Sequence, residues 1–347
     1  MRSSPKMKVA KLYSFDDVRI EEMPIPELGP HDALVKTKAC GICSGDVMPW
    51  YVEKKAPLVP GHEPAGEIVE VGKEVTSFKS GDRVFTHHHA PCFACRHCEK
   101  GNYVQCQTWK TSKIIPGGIS EYILVPQINL ENDTLNIPDN LSYEDGTLIE
   151  PTACVVKAMK RADVGRGDRV FIIGLGVMGQ LNVILAKRYG AERIIGADMV
   201  PFRLQKAEEF GADEVIDVSK DNLLDSLKEL TCGEMADVVI VGPNNVDAMK
   251  QGMAAVAAGG RVLFFTPARP GDNLSIDPND LYFRDINIIT SYSCGPTDTA
   301  DALEIIEEGI VKAEQLVTHR FPIEKTADAF RLTAEAKESL KSVIVFD

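Results

Sequence analysis

No stretch of this 347-residue chain stays apolar long enough to span a bilayer, so the sequence does not describe a helical membrane protein. The opening Met1–Lys8 runs straight into the alternating Val9–Tyr13 without the apolar core that a signal peptide requires, which sets a cytoplasmic address as the expectation. Positive charge is also in short supply. With 38 Lys and Arg against 51 Asp and Glu, the formal charge of −13 leaves no basic face for gripping a phosphate backbone, and nucleic acid is set aside as a partner. Internal repeats and low-complexity segments are absent too, which excludes a solenoid or a disordered tail.

What is present fits a folded chain of two cores: 44% of residues are hydrophobic, 26% are charged, and the length exceeds that of a common single domain. From Val9 to about Glu150, proline and glycine punctuate short alternating runs such as Ala33–Thr37 and Gly66–Val71, the texture of an irregular β-rich domain. After Pro151, strand-like runs alternate with helical stretches: Arg169–Ile173, Arg193–Ala197, Glu214–Ile216, Asp237–Val241, Arg261–Phe265 and Ile286–Thr290. Six such strands predict an α/β fold with a doubly wound parallel sheet. The tail holds an amphipathic helix over Ala302–Glu308 and an apolar run at Ser342–Phe346, expected to pack back onto the first domain.

Nine cysteines in a large chain without an export signal point to metal binding, because four of them cluster. Cys92, Cys95, Cys98 and Cys106 follow the spacing C-x2-C-x2-C-x7-C, and four thiolates close a tetrahedral zinc site with no open position, the structural type. The competing reading is four free surface thiols. His97, inside the loop, is not assigned as a ligand. Cys40, Cys154, Cys232 and Cys294 have no partner pattern and read as core thiols.

Gly174-Leu175-Gly176-Val177-Met178-Gly179 is a G-x-G-x-x-G that follows an apolar strand and opens a helix expected to begin near Gln180. Gly174 permits the tight turn, Gly176 lets backbone approach a pyrophosphate, and Gly179 allows close helix packing, while the helix N-terminus favours the phosphate charge. Asp198 closes the second strand, where a carboxylate accepts both adenosine ribose hydroxyls and repels a 2'-phosphate, favouring NAD over NADP. Its bland alternative is a helix N-cap. Arg203, one turn on, can reach the ribose or a 2'-phosphate and keeps NADP open.

Together Cys43-Ser44-Gly45-Asp46, Gly61-His62-Glu63-Pro64-Ala65-Gly66, Gly81-Asp82-Arg83-Val84, the cysteine knot, Glu150-Pro151 and the glycine fingerprint resemble the zinc-containing medium-chain alcohol dehydrogenases over nearly the whole chain. Glu150-Pro151 resembles the sorbitol and threonine dehydrogenase branch, which has glutamate where the best-known alcohol dehydrogenases have cysteine. The resemblance implies a GroES-like catalytic domain at 1–155 and 295–347, a Rossmann NAD-binding domain at 156–294, an active site in the cleft, and a dimer or tetramer. It makes Cys43 and His62 catalytic zinc ligands, with Glu63 and Glu150 as ligands or exchange partners of a bound water. With the knot this gives two zinc ions per subunit. The residue types suit that chemistry, because zinc lowers the pKa of a bound alcohol and an open position admits the substrate. Asp46 reads as an orienter of a ligand. Taken alone, His62-Glu63 is a weak signal, since no second histidine follows at metalloprotease spacing.

The sequence departs from that family where a hydroxyl residue and a histidine usually carry the alcohol proton outward: here stand Gly45 and Met48. Ser44 and His88 are the substitute candidates, His88 lying in the His87-His88-His89 run where relatives line the substrate pocket. A polar pocket with His88, Trp50 and Tyr51 favours a polyol or other secondary alcohol over a simple aliphatic one. L-threonine 3-dehydrogenase, a zinc-free quinone or enone reductase and a non-catalytic NAD-binding structural protein stay open as alternatives.

Overall fold

The computed structural model describes residues 5–347; Met1–Ser4, part of the segment read as lacking a signal-peptide core, lies outside them. Two compact units divide the chain, Met1–Ala153 with Cys294–Asp347 and, between them in sequence, Cys154–Ser293. Among the described residues no helix is long and apolar enough to cross a membrane.

The second unit is built on strands whose side chains are apolar on both faces. Val170, Phe171, Ile172 and Ile173, and then Val238, Val239, Ile240 and Val241, are all buried, as a parallel sheet covered by helices demands. Six parallel strands, Arg169–Ile173, Arg193–Asp198, Glu214–Asp217, Ala236–Val241, Val256–Phe264 and Asn287–Thr290, stand in the spatial order 3-2-1-4-5-6 when numbered along this unit. That order reverses between the first and fourth strands, the switch point at which such sheets bind ligands. Local chemistry sets the helix starts. Pro201 is preorganised for the first turn of Pro201–Phe210, and the Asn245 side chain accepts the Ala248 N–H at 2.8 Å to open Val246–Ala255.

The first unit centres on a seven-stranded, mainly antiparallel sheet. Its path runs Val317–Pro322, Lys341–Val345, Ala33–Gly41, Glu63–Val71, Arg83–Thr86 and Thr134–Asn136, with Tyr122–Val125 also pairing with Ala33–Gly41. A hairpin of Lys6–Ser14 and Asp17–Pro24 stands beside it. The C-terminal strand enters this sheet through the pairs Val343 with Gly41 and Val345 with Ala39, so the last residues of the chain border the first half of the sequence. The amphipathic helix expected from Ala302 begins earlier, at Pro296. There Gly295 takes the N-cap, and its N–H is bound by the Asp298 carboxylate at 3.0 Å.

Two of the cysteines read as core thiols are not buried. Cys232 is exposed, on a turn where its own φ is 52°, and Cys154 is half-buried on the helix Ile149–Ala162. Cys40 and Cys294 are buried.

Candidate metal centre and dinucleotide loop

Cys92, Cys95, Cys98 and Cys106 converge within one loop, their four sulfurs all within 4.8 Å of one another. Cys95 to Cys98 and Cys92 to Cys106 are each 3.6 Å apart. Zinc–sulfur bonds of about 2.3 Å in a tetrahedron space sulfurs about 3.8 Å apart, so the loop already has the shape of a zinc tetrathiolate. Backbone amides favour thiolate there: the Ala94 N–H draws Cys92 below the ordinary thiol range. Burial opposes the same effect at Cys106, but the Cys92 and Trp109 amides bring it down to about 6. Burial pushes Cys98 up to about 12. Trp109, 2% exposed, packs behind the loop with Val104.

A second group forms where strand ends meet a tight turn. Cys43 leads into the short helix Ser44–Val47, His62 precedes the strand Glu63–Val71, and Glu63 is its first residue. Their ligand atoms lie within 4.8 Å of one another. Asp46 Oδ1 stands 3.5 Å from His62 Nδ1, while its other oxygen accepts the Cys43 N–H at 3.3 Å. Burial alone would lower the His62 pKa, but the Asp46 carboxylate and the Cys43 sulfur reverse this and hold it well above its ordinary value. A cysteine sulfur, an imidazole and a buried carboxylate make a zinc donor set with a position left open. Glu63 Oε1 is buried and makes no hydrogen bond, as a group reserved for a cation requires.

Sequence reasoning missed Lys341, whose ammonium pairs with Glu63 and donates to the Ile42 carbonyl at 3.1 Å. A lysine inside the buried run Leu340–Ile344 was the available signal, since lysine is almost never fully buried without a partner. The two pKa shifts pull on this pair in opposite senses. Burial raises Glu63 toward the neutral acid despite Lys341, whereas Glu63 outweighs burial at Lys341 and holds it charged. We take the charged pair as the ground state, because the ammonium has the Ile42 carbonyl as well as the carboxylate to replace its water.

The remaining candidates separate. Ser44 is exposed at the head of its turn. The His88 ring centroid stands 5.0 Å from that of His62, and its Nδ1 is buried without a hydrogen-bond partner. Burial holds His88 well below its ordinary pKa. His89 instead binds the Ser112 carbonyl at 2.6 Å and faces Trp109. Trp50 and Tyr51 meet edge to face at 5.8 Å, with Lys55 3.8 Å over the Tyr51 ring. Glu150, 5% exposed in the first turn of its helix, has its carboxylate close enough to Glu63 to raise that group further. Its ligand atom groups with those of His87 and Cys294.

In the second unit the glycine turn follows the first strand at the switch point. Gly174 has φ 86°, which only glycine adopts freely, and a Cβ on Gly179 would overlap the Gly174 carbonyl. The helix begins at Val177, three residues before the expected start, because Gly179 packs inside its first turn; Val177 and Met178 thus present first-turn N–H groups that have no intrahelical acceptor. Over Gly176 the space is open but for the Arg203 guanidinium, 3.9 Å from where a Cβ would stand. The loop therefore fits a pyrophosphate. Asp198 is not an N-cap, since Val200 holds that position. One of its oxygens accepts the Leu175 N–H at 2.7 Å, the other accepts from Met199 and Val200, and Arg203 lies 3.7 Å away.

A thiolate cluster, a mixed Cys-His-Glu centre and a dinucleotide loop define the class of zinc- and nicotinamide-dependent oxidoreductases. Residues 29–139 match the family model described as Alcohol dehydrogenase GroES-like domain, and residues 177–308 match Zinc-binding dehydrogenase. The chain is 31% identical to a sorbitol dehydrogenase of Bacillus subtilis over 98% of its length and 97% of that protein. It is 34% identical to an L-threonine 3-dehydrogenase of Symbiobacterium thermophilum, covering 97% of each. Among solved structures, a protein described as a zinc-binding dehydrogenase of Sinorhizobium meliloti, bound to NADP, superimposes with a TM-score of 0.88 at 27% identity, covering 99% of this chain and all of that one. The chain belongs to the zinc-containing medium-chain alcohol dehydrogenase family, in its sorbitol and threonine dehydrogenase-like branch.

Proposed function

We propose that the protein oxidises a polyol or another secondary alcohol to the ketone, with zinc at Cys43, His62 and Glu63 and NAD as hydride acceptor. The convergence of those three ligand atoms carries this reading. Zinc held by Cys43, His62 and Glu63 would supply a Lewis acid for the alcohol oxygen, and a nicotinamide bound at the glycine turn would supply the hydride acceptor. Asp46 keeps His62 oriented, and Lys341 neutralises Glu63 on the side away from its unbonded oxygen. Glu150 adds its charge beside Glu63 as the fourth member of the set. His88 offers a buried, unbonded nitrogen beside His62 for a substrate hydroxyl or its proton, where Gly45 and Met48 offer none; Ser44 is the more solvent-facing alternative for the proton. The four knot cysteines hold a second, structural zinc.

For the cofactor, Val177 and Met178 with the turn glycines cradle the pyrophosphate, and Asp198 favours NAD. Arg203 over the turn is the feature that suits NADP, the cofactor bound by the Sinorhizobium relative. The second substrate reading is L-threonine, on the strength of the threonine dehydrogenase relatives. We also propose a homodimer or tetramer assembled through the second unit. There Asn287–Thr290 is an edge strand, Ile288 is 38% exposed, and Tyr282 and Phe283 are each 76% exposed. Nine cysteines with no disulfide among the described residues suit a reducing, cytoplasmic setting.

Following NADH absorbance with sorbitol, other polyols, 2,3-diols and L-threonine, each with NAD and NADP, tests the reading. Turnover of a polyol or diol with NAD, abolished in Cys43→Ser, is expected. Turnover of threonine alone selects the amino-acid reading, and one zinc per chain with NAD binding but no turnover sinks the enzyme reading.

A further inference from the structure

From Cys43 to Ala56 the first unit runs as one string of hydrogen-bonded turns. The Asp46 N–H donates to the Cys43 carbonyl at 3.0 Å, the Tyr51 and Val52 N–H groups to that of Met48 at 3.0 and 3.1 Å, and the Ala56 N–H to that of Val52 at 3.2 Å. Backbone tied at each turn carries Trp50, Tyr51, Lys54 and Lys55 at a set displacement from Cys43.

Two ammonium groups end this string. Lys55 Nζ lies 3.8 Å from the Tyr51 ring centroid, and Lys54 Nζ lies 5.4 Å from the same ring and 5.9 Å from that of Trp50. An aromatic face attracts a cation without neutralising it, so the rings place the charge and leave it available. Both lysines are exposed, and among the described residues neither is joined by a carboxylate. Lys6, Lys8, Lys11, Lys206 and Lys220, by contrast, each meet one.

The lysine charge reaches the polar pocket. Burial is the main reason His88 and His89 are held below their ordinary pKa, and Lys55 adds to the effect at both. His88 in turn neighbours His62, with ring centroids 5.0 Å apart, so this imidazole borders the metal group and feels the lysine as well. A substrate anion has to approach a protein of formal charge −13, and a local cation makes both approach and capture favourable. A neutral polyol gains nothing from two unpaired ammonium groups beside its pocket.

We propose that the secondary alcohol oxidised here carries an anionic group, a phosphate ester or a carboxylate, and that Lys55, seconded by Lys54, is the specificity-determining residue that binds it. The proposal rests on the alcohol dehydrogenase reading and narrows its substrate class.

The test uses the zinc-loaded full-length protein with sorbitol, its terminal phosphate ester and gluconate, with turnover followed as NADH and binding of each compound measured separately by calorimetry. One of the charged compounds is expected to exceed sorbitol about tenfold in kcat/KM, the worth of one charged hydrogen bond, and which one does so names the anionic group. Lys55→Gln should lower that preference about tenfold, chiefly through KM, and Lys55→Arg should restore most of it. Raising the salt concentration should weaken it as well. Equal kcat/KM for charged and neutral compounds, or a preference that survives Lys54→Gln combined with Lys55→Gln, overturns the proposal. If no compound turns over, the dehydrogenase reading fails and calorimetry still decides on the lysines: tighter binding of a charged compound, lost in the double variant, upholds the anion site, and equal binding removes it.

Discussion

The Lys341 ammonium and the Glu63 carboxylate meet across Gly41, both side chains 1% exposed, on strands that flank the one ending at that glycine. A Cβ at Gly41 would overlap the Glu63 carboxylate and lie 2.8 Å from Lys341 Cε, so the missing side chain is what lets the pair form. The last strand of the chain thereby holds a residue of the candidate metal centre in place.

Removing one member of such a pair strands the other charge in the interior. Lys341→Met is expected to cost about 3 to 5 kcal/mol in urea unfolding, with most of it recovered when Glu63→Gln is added. Gly41→Ala should be comparably harmful. A loss below about 1 kcal/mol in Lys341→Met would show that the pair contributes little.

At the knot, Cys106→Ser is expected to release one zinc per chain by metal analysis and lower the thermal midpoint by several degrees, while NAD binding by the second unit persists. Full retention of metal would refute a four-thiolate site.

Asp198 serves the glycine turn by accepting the Leu175 N–H at 2.7 Å, alongside the ribose contact proposed for it. Asp198→Ala should weaken NAD binding about tenfold to a hundredfold, the worth of one or two charged hydrogen bonds, and shift the kcat/KM ratio toward NADP. An unchanged cofactor ratio would remove Asp198 from ribose recognition.

His88→Ala tests the polar pocket. A KM for polyols raised about tenfold, with the pH dependence of kcat altered, is expected from loss of a buried hydrogen-bonding nitrogen. Unchanged turnover across pH would leave His88 as packing only.

Burial would raise the Asp237 pKa, yet Arg169, through bonds of 2.9 and 3.1 Å, holds it below the usual carboxylate range. A depressed acid stabilises the fold above its unfolded pKa of about 3.9 and loses that contribution as pH falls through the lower, folded value. Asp237→Asn should cost about 1 kcal/mol at pH 7, discounted because the pair is partly exposed, and the difference should fade below about pH 3. A difference that does not change with pH would assign the effect to packing.

The linear spacing of Cys92 to Cys106, the G-x-G-x-x-G after an apolar strand and the alternation of strands and helices were legible because each is local: ligands in one loop, glycines in one turn, a period within one element. Together they fix the metal loop, the dinucleotide turn and the doubly wound sheet. The residue types at Cys43, His62 and Glu63 were legible only as a resemblance, since nothing in their spacing forces them together.

Tertiary structure alone decided the rest. Lys341 is 278 positions from Glu63 and pairs with it only because the last strand is laid beside Ala33–Gly41. Cys294, read from the sequence as a core thiol, faces His87 rather than apolar side chains only, and Glu150 groups with those two. Contacts between distant segments carry no period and no spacing, so the sequence names the chemistry available to this protein, and the sheet register determines which of those groups meet.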